Sequence, residues 1–292
     1  MKYDLDDILQ KIDRLPELFH VAIRVARMLD DFNLDIKELS DVISVDQSLT
    51  TQLLKFCNSA HYGFSKKINS VNDAITKIGF KTLKSLVFVA ISQSVLYQDV
   101  KGYNLDKDDL WYNSISCAVY SRYLAKKVKF KDPETAFTAG LLKDIGKLMI
   151  QEYVGSEYEK LLKIINSQNM PFSEAEMKLF GFNHCTIGAE MAKKWNFPDA
   201  LIDAIRYHHS PQKAEEEGSV NSKIVYIVHI ADSLSMMLGA GLGNDGMMYN
   251  IELKSLENIG IKPTSENIEN LISEMIDLNE EISKMAGLVN EK

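Results

Sequence analysis

The sequence contains few of the residues that cross-link chains or interrupt helices. Its 292 residues include three cysteines, six prolines and fifteen glycines. An odd number of cysteines without a CxxC pair argues against a disulfide framework and against a structural zinc knuckle. Low cysteine usage of this kind is typical of a reducing compartment, so we expect a cytoplasmic location.

Long apolar runs and clusters of basic residues are also scarce. The longest apolar runs, at 86–91 and 224–231, are much shorter than a membrane span, and the acidic start of the chain differs from a signal peptide. The formal net charge is −8, and the dense basic run is the short "KKVKFK" at 126–131. We expect no membrane insertion. Because phosphate binding draws on clustered Lys and Arg, we also expect no nucleic-acid partner.

Helical periodicity is what the chain has instead. Apolar residues recur with helical spacing over most of its length, and no strand-like alternation extends beyond a few residues. The predicted helices cover 4–13, 17–31, 35–44, 46–57, 80–98, 107–128, 133–151, 155–167, 184–195, 198–209, 221–239 and 265–287. The pattern therefore predicts an all-α protein.

Two further helices are indicated by capping signals. Ser70 followed by Asp73 marks the start of a short helix that ends at Gly79, where glycine permits a left-handed turn. Ser173 and Glu176 have the spacing of a capping box, in a segment that also ends at a glycine.

The best candidate for a boundary is the turn-rich segment at 97–109. It divides the chain into an N-terminal helical bundle, 1–100, and a second bundle with the C-terminal helices, 101–292. Two further breaks, at 210–222 and 239–248, are predicted to be loops inside the second part.

The histidines are unevenly distributed, and three of them lie close together in the C-terminal half. They are His184, His208 and His209. His208 and His209 fall in line with apolar residues of the helix predicted at 198–209, so both rings should point at least partly inward.

Two aspartates, Asp144 and Asp232, also fall on apolar stripes of predicted helices. Burying an ionised carboxylate without a partner costs several kcal/mol, so both need one. One interpretation is that the histidines and aspartates converge on a divalent cation. The other is that the histidines are satisfied core residues and each aspartate caps a helix or pairs with a cation. Periodicity alone leaves both open.

The remaining chemical motifs are weaker. Cys57, Cys117 or Cys185 could be a nucleophile, with His184 beside Cys185 as the base, but neighbouring residues in a helix do not face one another. The glycine-rich "GAGLGNDG" at 239–246 lacks the spacing of a nucleotide-binding loop and is predicted to be a flexible loop.

Several segments share the order and spacing of a known family. In the first part they are "LPELFHVAIRVARMLDD" at 15–31 and "SDVISVDQSLTTQLLKFCNSAHYGFSKKINSVNDAITKIGFKTLKSLV" at 40–87. In the second part they are "AGLLKDIGKL" at 139–148, "FGFNHCTIGAEMAKKWNFP" at 180–198, "AIRYHH" at 204–209 and "VHIADSL" at 228–234. Together they resemble the HDOD domain, the HD-related output domain of bacterial signalling proteins, over roughly 10–240.

This resemblance implies that the second bundle is HD-like. HDOD domains are similar there to HD and HD-GYP phosphohydrolases, whose helical core binds metals and hydrolyses phosphate esters. Asn113 stands where the active enzymes have their first histidine, Lys143 and Asp144 stand at the HD pair, and Asp232 is the late aspartate. Two of the four primary metal ligands are thus replaced.

His184, His208 and His209 match the additional histidines that HD-GYP enzymes use for further metals. A site that lacks two ligands loses affinity and geometry, and the ammonium group of Lys143 would repel a cation. We therefore expect no metal at the primary site, with Lys143 or another cation neutralising the aspartates. No cofactor is expected, although Asp232 and the three histidines remain candidate ligands for a divalent Fe, Mn or Zn ion.

The function implied by the resemblance is regulatory. We expect a signalling protein with no catalytic residues, which binds a partner protein or a small ligand through the interface between its two helical parts. The alternative is a metal-dependent phosphohydrolase that acts on a nucleotide or cyclic dinucleotide. Its candidate residues would be Asp144, His184, His208, His209 and Asp232.

The segment "NSAHYGFSKKI" at 58–68 also has two interpretations. His61, Tyr62 and the two lysines could form an exposed contact surface. Alternatively, Asn58 and Gly63 end one helix and shape the turn that follows it.

Overall fold

The computed structural model describes the chain at residues 24, 25, 28, 35–58, 64, 67–240 and 251–287. Over these residues the chain forms helices without a β-strand, and one isolated bridge pairs Val100 with Leu105. The predicted all-α class is confirmed. The predicted helices at 4–13 and 17–31 lie outside the described residues, apart from 24, 25 and 28.

The helices are numbered here from the first one that is completely described. They are α1 (Ile36–Ser44), α2 (Gln47–Cys57), α3 (Val71–Leu96), α4 (Asp109–Lys127), α5 (Pro133–Leu142), α6 (Lys147–Gln168), α7 (Phe172–Phe180), α8 (His184–Lys194), α9 (Asp199–Tyr207), α10 (Pro211–Glu216), α11 (Ser222–Met237), α12 (Leu253–Asn258), α13 (Ser265–Asp277) and α14 (Asn279–Gly287). A short 3₁₀ turn, Lys101–Tyr103, precedes α4. None of these helices is both long and apolar enough to cross a bilayer.

Contacts within the chain group its residues into two units. One unit is Leu96–Leu278, and the other combines the described residues of 15–95 with those of 279–292. The first division lies close to the predicted boundary at 100. The last helix, α14, groups with the N-terminal helices, whereas the prediction assigned it to the second part.

Local signals set the helix ends in the N-terminal unit. Ser70 Oγ accepts a hydrogen bond from the backbone N–H of Asp73 at 3.1 Å. Gly79 interrupts α3 with φ 75°, a left-handed conformation that only glycine adopts without strain. Both features confirm the predicted short helix, after which α3 continues to Leu96.

Asn58 closes the segment that follows α2. Its side-chain oxygen accepts from the backbone N–H of Ile68 at 2.7 Å, and its side-chain nitrogen donates to the carbonyl of Ile68 at 2.7 Å. These contacts favour the turn-shaping interpretation for Asn58. His61, Tyr62 and Gly63 lie outside the described residues.

The core of the unit Leu96–Leu278 is built around α4, which packs against α5 and α11. Trp111 and Tyr120 of α4 and Phe137 of α5 are buried in this core. Gly140 permits the close approach of α5 to α4, because a Cβ atom there would lie 2.8 Å from the carbonyl oxygen of Cys117.

The predicted helix at 133–151 is wrong. In the structure α5 ends at Leu142 and α6 begins at Lys147, so residues 143–146 form a turn. A Cβ atom at Gly146 would lie well under 3.0 Å from the carbonyl oxygen of His184 and 2.6 Å from the amide nitrogen of Gly188. The turn therefore lies directly against the backbone of α8, and Asp144 is not part of a continuous helical stripe.

Other differences from the predicted helices concern their ends and two short elements. The segment predicted at 155–167 is the second half of α6, and 265–287 is divided into α13 and α14. The predicted loop at 210–222 contains α10, and α12 was not predicted. Because α9 ends at Tyr207, His208 and His209 lie just beyond it.

Candidate functional site

The centre of the site is the ammonium group of Lys143, whose side chain is 1% exposed. It donates to the side-chain oxygen of Asn113 at 2.8 Å and lies 2.8 Å from Oδ1 of Asp232. It also pairs with Oδ2 of its neighbour Asp144. The ion pair predicted for Lys143 is therefore present, and it joins α4, α11 and the 143–146 turn.

The two carboxylates keep Lys143 charged in spite of its burial. Burial disfavours the ammonium, but the charges of Asp144 and Asp232 outweigh this effect and raise the pKa of Lys143. Burial likewise opposes ionisation of Asp144, but Lys143 and Lys147 hold the pKa of this carboxyl well below its usual range. Lys147 Nζ lies 3.2 Å from Asp144 Oδ1. The group is thus a buried network of compensated charges.

Asn113 is oriented for this contact by a second hydrogen bond. Its side-chain nitrogen donates to the carbonyl oxygen of Ala240 at 3.1 Å, so the amide oxygen faces Lys143. An amide oxygen accepts from an ammonium and adds no charge to a buried group.

The ring of His184 is held by the buried Glu176, for which the sequence predicted a role in a capping box. Glu176 Oε2 accepts from the backbone N–H of His184 at 3.0 Å and lies 2.8 Å from its Nδ1. The hydroxyl of Tyr103 donates to the other oxygen of Glu176. The predicted capping box is wrong, since Ser173 lies inside α7 and no side chain of the described residues caps the start of this helix.

The pKa of His184 is shifted by these surroundings. Burial lowers it, but the neighbouring Cys185 and the carboxylate of Glu176 outweigh burial and raise it to about 10. Its other ring nitrogen, Nε2, lies 3.5 Å from Asp144 Oδ1. No described residue offers that nitrogen a hydrogen bond.

His208 is fixed in one tautomer when neutral. Its Nδ1 lies 2.8 Å from the carbonyl oxygen of Ile205, which can only accept, so Nδ1 carries the hydrogen. The other nitrogen, Nε2, lies 3.7 Å from Asp144 Oδ1 and 3.9 Å from Cys185 Sγ.

His209 connects the histidines to the late aspartate. Its Nδ1 lies 3.8 Å from Asp232 Oδ2. Burial and the neighbouring rings of His208 and His184 lower its pKa well below the ordinary value. The structure thus brings together all seven predicted site residues: Asn113, Lys143, Asp144, His184, His208, His209 and Asp232.

Cys185 is one residue of the site for which the sequence predicted no binding role. One donor atom each of His184, Cys185, His208 and His209 can be chosen so that all four lie within 4.8 Å of one another. The sequence offers Cys185 as a candidate nucleophile, but burial raises the pKa of its thiol in spite of the neighbouring His184. Such a shift disfavours nucleophilic chemistry, which needs a thiolate.

Glu176 and Tyr103 were missed for a different reason. Glu176 precedes His184 by eight positions, across the end of α7, and no local pattern connects the two. Tyr103 reaches Glu176 from a 3₁₀ turn far earlier in the chain.

A small opening leads to the charged group. It is lined by Leu105, Leu110 and Met236 as well as by Asn113 and the charged residues, and its cavity volume is about 10 Å³. This is about the space that one water molecule needs.

Comparison with known proteins gives relatives over most of the chain. An uncharacterized protein of Treponema pallidum (strain Nichols) is 26% identical over 211 residues, which are 72% of this chain and 40% of the relative. Ribonuclease Y of Aquifex aeolicus is 29% identical over 190 residues, which are 64% of this chain and 28% of that enzyme. The chain thus spans less than half the length of these relatives.

The fold has been seen before at similar size. The crystal structure of an HDOD domain protein with unknown function from Geobacter sulfurreducens matches with a TM-score of 0.75 and 25% identity, covering 97% of this chain and 95% of that one. The family model of the HDOD domain matches residues 15–211. That match exceeds half of the sequence, and it agrees with the all-α fold and with the order of the motifs. The chain therefore belongs to the HDOD domain family.

Proposed function

We propose that this chain is a non-catalytic regulatory module of signal transduction, which binds a partner protein or a small ligand and does not hydrolyse phosphate esters. One observation carries the proposal: the ammonium group of Lys143 lies between Asp144 and Asp232, where a metal-dependent hydrolase of this fold would need its cation.

Placing a metal ion beside this ammonium group has a large electrostatic cost. A hydrolytic metal lowers the pKa of its bound water and holds the phosphate, so it must stay close to the carboxylates. A divalent ion about 4 Å from an ammonium group would be repelled by about 8 kcal/mol at an effective dielectric constant of about 20. Lys143 also holds both carboxylates, so the metal would have to break that ion pair.

The size of the opening supports the same conclusion. A cavity of about 10 Å³ accommodates a water molecule but no phosphate ester. A partner would therefore be recognised on the protein surface, or a ligand would need the lining residues to move.

The alternative, a metal-dependent phosphohydrolase, is favoured by the retained histidines. His184, His208 and His209 supply nitrogen donors beside Asp144 and Asp232. The name ribonuclease Y describes an enzyme of which this chain matches 28%, and it supports a hydrolytic ancestry for the bundle. This alternative requires turnover in spite of Lys143.

The experiment compares the wild-type protein with the double variant Asn113→His and Lys143→His, which restores the two histidine ligands expected in the active HD enzymes. Both are purified without a histidine tag, supplied with Mn²⁺ or Fe²⁺, and assayed against a chromogenic phosphodiester, nucleotides and cyclic dinucleotides. We expect the wild-type protein to hydrolyse none of these substrates. We also expect it to bind no metal ion whose binding requires Asp232. We expect the double variant to bind metal.

The control is Asp232→Asn, which keeps the shape of the side chain. Wild-type turnover that disappears in this variant would contradict the proposal and favour the phosphohydrolase. Metal binding by the double variant would show that Lys143 and Asn113 prevent it in the wild type.

A further inference from the structure

We propose that His184, Cys185, His208 and His209 form a closed Zn²⁺ site, in which the thiolate of Cys185 selects zinc over harder cations. The proposed site lies beside the group filled by Lys143 and has different ligands. It does not rest on the proposed regulatory function.

The geometry of the four side chains is close to that of a zinc site. Their donor atoms lie within 4.8 Å of one another, and Cys185 Sγ is 3.9 Å from His208 Nε2. Tetrahedral zinc, with Zn–N and Zn–S bonds of ordinary length, places two nitrogens about 3.4 Å apart and a nitrogen and a sulfur about 3.6 Å apart. Side-chain rotations that move the donors by about 1 Å would therefore complete the site.

Two of the rings are already held as metal ligands usually are. Ligating histidines typically donate their second ring N–H to a carboxylate or to a backbone carbonyl. The Nδ1 atom of His184 lies 2.8 Å from Oε2 of Glu176, and the Nδ1 atom of His208 lies 2.8 Å from the carbonyl oxygen of Ile205. In both rings Nε2 is left for the ion, and that of His184 is fully buried without a hydrogen-bond partner among the described residues.

The buried charges around the cluster also favour a cation of this kind. Three buried carboxylates, those of Asp144, Glu176 and Asp232, accompany the two buried ammonium groups of Lys143 and Lys147. With the three histidines in the neutral form that binds a metal, these groups leave an excess of one negative charge. A divalent ion with one thiolate carries one positive charge, so together they would neutralise the group.

The identity of the ion follows from the donor types. Soft thiolate with imidazole suits zinc, whereas Mg²⁺ and Mn²⁺ prefer oxygen ligands. Four protein ligands would leave no open position for water, which is the arrangement of structural sites. Such an ion would connect the start of α8, at His184 and Cys185, to the end of α9, at His208 and His209.

The test uses Co²⁺ as a spectroscopic probe of metal-stripped protein that carries no histidine tag, followed by displacement with Zn²⁺. We expect one equivalent to bind, with a sulfur-to-cobalt charge-transfer band and the visible bands of tetrahedral cobalt. Cys185→Ser should abolish the charge-transfer band. Cys117→Ser is the matched control, because Cys117 is buried in the same unit outside the cluster, and it should keep the band.

The partner of His184 offers a graded test. Glu176→Gln removes the carboxylate that orients the ring and should weaken Zn²⁺ binding by roughly 10–100-fold, as loss of such outer partners does. Cys185→Ser removes a ligand and should weaken it more than Glu176→Gln. Circular dichroism establishes that each variant is folded.

X-ray absorption of the zinc-loaded wild-type protein needs no variant. We expect one sulfur at about 2.3 Å from zinc. A shell of nitrogen and oxygen alone, or a cobalt band that persists in Cys185→Ser, would overturn the proposed zinc site. Metal that carries no sulfur, together with turnover that disappears in Asp232→Asn, would overturn both proposals. Sulfur-bound zinc without hydrolysis leaves both standing, and sulfur-bound zinc with turnover overturns only the regulatory one.

Discussion

Replacing Lys143 by methionine should remove the cation that compensates two buried carboxylates. The side chains of Asp144 and Asp232 are 2% and 3% exposed, so neither can be solvated where it stands. Removing one partner of a buried ion pair costs about 3–5 kcal/mol. Because Lys147 still pairs with Asp144 at 3.2 Å, we expect a loss near the lower value, about 3 kcal/mol.

The pH dependence should change sign in the same variant. In the wild type the lowered pKa of Asp144 gives stability that is present above the unfolded pKa of about 3.9 and is lost as the pH falls through the folded pKa. In Lys143→Met, burial without the ammonium should raise the pKa of the Asp144 carboxyl. The variant should therefore recover stability relative to the wild type as the pH falls from about 8 to about 5.

Urea unfolding followed by tryptophan fluorescence measures this difference. Both tryptophans, Trp111 and Trp195, belong to the unit Leu96–Leu278 and so report on it. The control is Lys127→Met, which removes the half-exposed pair with Glu274 and should cost about 0.2–1 kcal/mol. If Lys143→Met lost no more than this control at pH 8, Lys143 would not be compensating the buried carboxylates.

Four further substitutions test individual backbone and side-chain contacts of the two units. Gly146→Ala should destabilise the protein by roughly 1–3 kcal/mol, because its Cβ would meet backbone atoms of α8. Gly155→Ala in α6, where no atom of the described residues lies closer than 3.9 Å to the added Cβ, should stabilise the protein by about 0.5–1 kcal/mol. Equal unfolding midpoints for the pair would contradict the close approach. Asp46→Ala should cost about 0.5–2 kcal/mol in urea unfolding, since its side chain caps α2 at 2.9 Å, and no change would exclude the cap. Tyr103→Phe should cost about 1–3 kcal/mol by leaving an oxygen of Glu176 buried without its donor, and an unaltered midpoint would show that this bond contributes nothing.

Features with local causes could be predicted from the sequence. The helix at Ser70 has its cap three residues away, and Gly79 interrupts α3 through its own backbone freedom. Family resemblance added the site residues, because motifs such as that around Lys143 and Asp144 keep their order and spacing along the chain.

Features with distant causes could not be predicted. A capping box was predicted for Ser173 and Glu176 from their spacing, but Glu176 faces His184, which a neighbouring helix brings to it. The pattern around Gly146 predicted a continuous helix, but the close approach of α8 requires a turn there.

By itself the sequence determined the all-α class and most helix positions, since periodicity is a property of the chain. The family resemblance of its motifs indicated seven residues of the site. The tertiary structure alone decided which atoms meet. It placed the ammonium of Lys143 between Asp144 and Asp232, and it brought Cys185 beside His208. The physical reason is that buried charges and donors are satisfied by partners on other helices, whose distance in space does not follow from their distance in sequence.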